Sequence, residues 1–130
     1  MKKLFSLIGV VIFNFLFAAC GTQGVMFNGS RLGNESQLVM DFSVLNKTET
    51  QSLTVGSGDT ISAKIVVDSG SLSVKIQKDD ETPIYENNIS ESEDFDIDVE
   101  DSGIYTLVVI GDMAKGSVDF EVIGKEVQND

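Results

Sequence analysis

The chain has 130 residues, 21 acids against nine bases, a formal charge of −12, no histidine, no tryptophan and one cysteine. That balance excludes nucleic acid as a partner, because phosphate backbones demand clustered Lys and Arg. It also argues against a domain lying flat on an anionic bilayer. Without histidine the commonest general base is missing, and without a spare cysteine there is no zinc or copper site.

In chain order, Met1-Lys2-Lys3 gives a positive start, Leu4 to Phe17 is nearly all apolar, and Ala18-Ala19 places small residues just before Cys20. Basic, apolar and small residues in that order read as a secretory signal over 1–19 with its cleavage site. A transmembrane helix needs about 20 apolar residues, and this run is shorter and interrupted by Gly9 and Asn14. Leu16-Phe17-Ala18-Ala19-Cys20 resembles the lipobox of bacterial lipoproteins, departing from it at Phe17, where Leu or Val is usual. The resemblance implies that Cys20 is acylated and becomes the new N-terminus, which anchors the protein to the cell membrane on the extracytoplasmic face. A diacylglyceryl cysteine supplies the two chains, palmitate-like in class, that stable anchoring requires. Cleavage would leave 111 residues, one domain's worth, with 7 bases and 21 acids, or 7 − 21 = −14.

Residues 20–36 are polar and glycine-rich without a sustained period, and read as the lipidated cysteine and a flexible tether, with Val25, Met26 and Phe27 as apolar exceptions. The domain is expected over 37–130. Leu38, Met40, Phe42 and Val44 alternate with a period of two, the mark of a half-buried strand. Leu53 and Val55 follow, then a Gly56-Ser57-Gly58-Asp59 turn, then Ile61, Ala63, Ile65 and Val67 on one face. Asp68-Ser69-Gly70 turns the chain before Leu72, Val74 and Ile76, and a short edge strand is expected at Pro83-Ile84-Tyr85. Phe95, Ile97 and Val99 alternate with acids. Tyr105 to Ile110 is apolar on both faces and reads as a central, doubly covered strand, and Val118, Phe120 and Val122 close the series. Eight short strands divided by Gly, Asp and Ser turns predict an all-β, antiparallel sandwich or jelly roll. Phe42, Leu53, Ile65, Val74, Ile97, Leu107 and Phe120 are its expected core.

Two stretches carry a family likeness. Asp101-Ser102-Gly103-Ile104-Tyr105 resembles the tyrosine corner of immunoglobulin-like sandwiches, although Leu107 stands where their second cysteine belongs. The run from Gly56-Ser57-Gly58-Asp59 to Phe120 is more similar to the jelly-roll domains of the bacterial pre-peptidase C-terminal type. It shares their Gly-Asp turn, the Leu72-Ser73-Val74-Lys75-Ile76 strand, the Ile84-Tyr85 pair and the Ser102-Gly103-Ile104-Tyr105-Thr106-Leu107 strand. The close, Ala114 to Phe120, is similar to small lipoproteins of Gram-positive bacteria. The likeness spans about half the chain and implies an accessory module, not a catalyst.

The chemistry left open is binding. No Gly-x-Ser-x-Gly elbow, Ser-x-x-Lys pair or phosphate loop is present. Asp94, Asp96, Asp98 and Glu100 share one strand face, but steps of about 6.8 Å are too wide for neighbours to share a Ca²⁺ held at about 2.4 Å. Calcium would need help from Glu91 and Glu93 or from Asp79, Asp80 and Glu81. The face reads instead as solvated and self-repelling, a guard against edge pairing. Tyr85 is a lone candidate platform for a sugar. The sequons at Asn28, Asn34, Asn46 and Asn88 follow from an Asn- and Ser-rich composition. The expectation is therefore a non-catalytic module, with no cofactor, that binds an envelope protein. The alternative is a module for calcium or polysaccharide.

Overall fold

A computed structural model describes residues 25–124. The expected signal peptide over 1–19, Cys20 with its expected lipidation, residues 21–24 and the last six residues lie outside that range. Among the described residues there is no helix. Seven strands form one antiparallel hydrogen-bonded sheet: β1 (Phe27–Asn34), β2 (Gln37–Leu45), β3 (Thr48–Val55), β4 (Thr60–Lys78), β5 (Tyr85–Ile89), β6 (Glu93–Asp98) and β7 (Gly103–Ile123).

The long strands β4 and β7 pair with each other along their length and divide the sheet into two sectors. The first half of β4 also pairs with β6, and the second half of β7 pairs with β2, which carries β1 at its edge. The other halves hold β5 and β3. One sector thus runs β1-β2-β7-β4-β6 and the other β3-β7-β4-β5. Core residues from both sectors belong to a single apolar cluster.

Within each sector the period of two selects the buried face. In β4 the buried set is Ile61, Ala63 and Ile65, then Leu72, Val74 and Ile76, so the parity changes from odd to even. In β7 it changes likewise, from Tyr105, Leu107 and Val109 to Ala114, Val118 and Phe120. A one-residue slip sends side chains to the opposite face. The β4–β7 register shifts at Val67/Ser69 and Ser69/Ser71, where the parity changes, so apolar residues stay on the core side in both sectors.

This explains why seven strands stand where eight are expected. Asp68-Ser69-Gly70 and Gly111 to Gly116 were read as turns that end strands, but they bend strands that continue. Gly70 has φ +75, and a Cβ there would collide with the Met113 carbonyl oxygen, so the bend admits no larger residue without a shift. Those two mergers reduce eight strands to six, and β1 brings the count to seven. Residues 27–34 were expected in the flexible 20–36 tether, yet they pair with β2 over its whole length. Nearly all of β1 is exposed, so no apolar alternation marks it, and main-chain bonds hold it. Arg31 reinforces it by donating to the Thr50 carbonyl (2.8 Å) and pairing with Glu49 (3.0 Å), which ties β1 to β3.

Of the expected core, Phe42, Leu53, Ile65, Val74, Leu107 and Phe120 are buried. Ile97 is only half-buried because β6 is an edge strand. Tyr105 to Ile110 is central in the hydrogen-bonding order but covered on one side alone: Ile104 is 59% exposed and Ile110 43%. The short strand begins at Tyr85, after Pro83 and Ile84, with Ile84 N–H donating to the Ile76 carbonyl (2.8 Å). The Gly56–Asp59 turn closes with Asp59 accepting from the Gly56 N–H (2.7 Å).

The tyrosine corner is present as a hydrogen bond. Tyr105 is 3% exposed, and its hydroxyl donates to the Asp101 carbonyl at 2.6 Å. Burial pushes its phenol above the ordinary value near 10, Lys78 pulls it down to a lesser degree, and Asp101 and Glu81 push it up.

Candidate binding trough and the two outer faces

The outer side of the β1-β2-β7-β4-β6 sector holds an open trough of about 510 Å³. Its origin lies in small residues and a bulge. Gly29, Phe42 and Gly116 stand in register across β1, β2 and β7. A Cβ on Gly29 would strike the Asp41 carbonyl oxygen, and one on Gly116 the Val66 carbonyl oxygen, so bare backbone forms the floor. Beside it the register skips Ser43, the extra residue of a β2 bulge, whose hydroxyl donates to the Asn28 carbonyl (3.3 Å). Bulges re-aim side chains in this way near functional surfaces.

One wall is the row Ser30, Asp41, Ser117 and Val66, aligned across four strands. Ser43, Lys115 and Asp68 line the opposite side. The trough therefore offers hydroxyls, two carboxylates and one ammonium over a backbone floor. Its charges are uncommitted within the described residues, where the ion pairs join Arg31 and Lys47 to Glu49.

The remainder of this outer face is acidic. Asp94, Asp96 and Asp98 stand opposite Lys64, Ser62 and Thr60, and Asp119 and Glu121 flank the same β4 residues from the other side. With Asp41, Asp68 and Lys115 of the trough, that makes seven acids against Lys64 and Lys115, a local balance of 2 − 7 = −5. Asp119 Oδ1 is buried with no hydrogen-bond partner, a state that costs about 1–3 kcal/mol for a polar group.

The outer face of the second sector is different. β3 presents Thr48, Thr50, Ser52 and Thr54 in register with Ile110, Val108, Thr106 and Ile104 of β7. Ser73, Lys75 and Gln77 of β4 continue the rows, and Asn88 and Glu86 of β5 end them. A shallow groove of about 260 Å³ runs over Val108 and Ile110 beside Ser73 and Asn88.

The residues singled out in the sequence fall as follows. Asp94, Asp96 and Asp98 share an exposed face as expected, but β6 ends at Asp98, so Glu100 does not join them. No group of three or more Cys, Asp or Glu among the described residues is arranged to hold a metal ion. Tyr85 is no platform for a sugar: it is half-buried and stacked on Phe95, with ring centroids 4.4 Å apart and planes 21° apart. Asp41, Ser43, Asp68 and Lys115 were not singled out, because they come from three strands, β2, β4 and β7, and no motif spans them. The glycines at 29 and 116 were the visible trace.

No family model matches the chain, and no curated protein matches it. Solved structures resemble it weakly. One described as "CBM4 structure and function" aligns with a TM-score of 0.41 and 11% identity, over 78% of this chain and 79% of that one. BH2720 from Bacillus halodurans aligns at 0.35 and 10%, over 85% and 80%. A family two carbohydrate esterase from Cellvibrio japonicus aligns at 0.30 and 14%, over 78% and 36%. At TM-scores below 0.5 such similarity fixes neither family nor ligand.

Proposed function

We propose that the chain is a lipid-anchored, extracytoplasmic and non-catalytic binding module, folded as a jelly-roll sandwich, that takes an envelope polysaccharide in the trough of its acidic sector. The trough carries this reading. It is open at the surface, crosses four strands, and is lined by hydroxyls, carboxylates and an ammonium beside Val66, with Phe42 buried under its floor. Such a lining suits a hydrated, polyhydroxylated chain that exchanges water hydrogen bonds for protein ones, and it suits less well a small apolar ligand that needs enclosure. Asp41 and Asp68 accept hydrogen bonds from sugar hydroxyls or amino groups, and Lys115 donates to ring or carbonyl oxygens.

Polysaccharide fits better than a protein strand added at an edge. β6 carries Asp94, Asp96 and Asp98 along its edge, and Arg31 and Gln51 bridge the β1 and β3 edges. The anchor is proposed from the Leu16-to-Cys20 sequence alone. Two experiments test the two halves. Metabolic labelling with palmitate should mark the wild type and not Cys20→Ala, and equal labelling would remove the anchor. A polysaccharide panel should raise the unfolding midpoint of the wild type and have at most a tenth of that effect on an Asp41→Asn, Asp68→Asn double variant. An unmoved midpoint across the panel would remove the ligand.

A further inference from the structure

We infer that the bent end of the molecule is a membrane-contact surface, where Val25, Met26 and Met113 enter the headgroup region of the bilayer. The inference rests on the proposed anchor at Cys20 and not on what the trough binds. The strands define this end. β4 and β7 cross from one sector to the other at 68–70 and 111–116, and the β2–β3 turn at Asn46-Lys47 lies beside them. The chain also enters here, because Phe27 opens β1 opposite Leu45, the last residue of β2. The turns after β1, β3, β4 and β6 and the close of β7 lie at the other end.

Of the apolar run Val25, Met26 and Phe27, the core takes only Phe27. Val25 stays 55% exposed and Met26 50%, and Met113, in the β7 bend, is 61% exposed. Asn46 gathers the two methionines. Its N–H donates to the Met26 carbonyl at 2.7 Å, and its Oδ1 accepts from the Met113 N–H at 3.0 Å. Met113 holds φ +50, a left-handed conformation that is costly for a bulky side chain. The core does not use that side chain, and the bend sets it out in solvent. Exposed apolar groups gathered at one point mark a surface with a partner.

Reach and charge identify that partner as lipid. Val25 follows Cys20 by only five residues, a span of at most about 18 Å when fully extended. Acyl chains on Cys20 therefore keep the bent end nearest the bilayer, while the opposite end lies about 30 Å further along ten residues of β7. The acidic outer face, with Asp94, Asp96, Asp98, Asp119 and Glu121, opposes lying flat on anionic lipid. At the tip, charges of both signs stand close together. Lys47 pairs with Glu49 at 3.3 Å, and Asp112 and Lys115 flank Met113, with Asp68 one strand away. An apolar tip of this kind sinks about 5–10 Å into the boundary of headgroups and acyl chains. The molecule then stands on end, both outer faces rise from the bilayer, and the trough opens sideways.

Fluorescence quenching by lipid tests the docking. The acylated chain is reconstituted in neutral phosphatidylcholine vesicles whose acyl chains are brominated near the glycerol end. With Cys20 acylated, Met113→Cys supplies a sole thiol for a small fluorophore, and Ser102→Cys does so at the opposite end. The label at 113 should be quenched at least about five-fold more than the label at 102. Adding Val25→Glu and Met26→Glu should return quenching at 113 to the level at 102. Vesicle binding through the acyl chains and the unfolding midpoint should stay unchanged, because both side chains are exposed. Equal quenching at 113 and 102, or quenching at 113 indifferent to the two glutamates, would overturn the docking and leave the anchor standing. A label at 113 shielded from aqueous iodide yet untouched by brominated lipid would assign the tip to a protein contact and equally overturn it. A protein mass without acyl chains would remove the anchor, and the docking with it.

Discussion

The outer faces of the two sectors rest on the same core and carry opposed chemistry. Behind the acidic face lie Ile61, Ala63, Ile65, Val118 and Phe120, and behind the neutral face lie Leu72, Val74, Ile76, Leu107 and Val109, all buried in one cluster. The core sides are interchangeable in kind because burial demands apolar side chains there. The outer sides are free of that demand, yet one concentrates seven acids in and around a polar trough while the other arranges hydroxyls around an apolar stripe. Function is best sought in what folding leaves unconstrained, and here that means the two outer faces.

The largest effects should come from breaking what the sectors share. Phe120→Ala in one should cost about 3–5 kcal/mol and Leu107→Ala in the other about 2–5 kcal/mol, measured by denaturant unfolding. Both should shift one cooperative transition. Separate transitions for the two sectors would break the single core. Next comes the bend that joins them. Gly70→Val forces a β-branched residue into φ +75 against the Met113 carbonyl, and should cost about 1–3 kcal/mol, with a larger loss than Ser71→Val beside it.

Smaller changes sharpen the contrast. Tyr105→Phe removes the hydroxyl bond to Asp101 and should cost about 1 kcal/mol. The pH dependence has a definite sign. Because the folded-state value of Tyr105 is raised, its contribution is complete below about pH 10, the ordinary phenol value, and is lost as pH climbs through the raised value. A pH titration of unfolding should show this decline in the wild type and a smaller one in Tyr105→Phe. Asp119→Thr removes a buried, unpartnered carboxylate oxygen from the acidic face and should stabilise by up to about 1 kcal/mol. On the neutral face, Thr50→Ser should stay within about 0.5 kcal/mol.

Much of this was legible in the sequence and the rest was not, for physical reasons. Alternation at Leu38 to Phe42 and Leu72 to Ile76 announced the buried faces, because a period of two is burial written along a strand. Asp101 to Tyr105 announced its own hydrogen bond. The continuity of β4 and β7 was hidden, since Asp68-Ser69-Gly70 has the same composition whether a strand ends or bends. β1 was hidden because its side chains stay in solvent and only its backbone pairs. The trough was hidden most deeply: Ser30, Asp41, Lys115 and Asp68 meet only through the register of four strands.

The most direct measurement fills the trough and asks whether binding stops. Ser117→Trp projects a large side chain from the centre of one wall, outside the core, in the full chain held in mild detergent. Its unfolding midpoint is recorded beside the wild type against soluble neutral and amino-sugar polysaccharides. At least one should raise the wild-type midpoint and leave Ser117→Trp unmoved. Equal shifts in both proteins, or none in either, would contradict the assignment of the trough as the binding site.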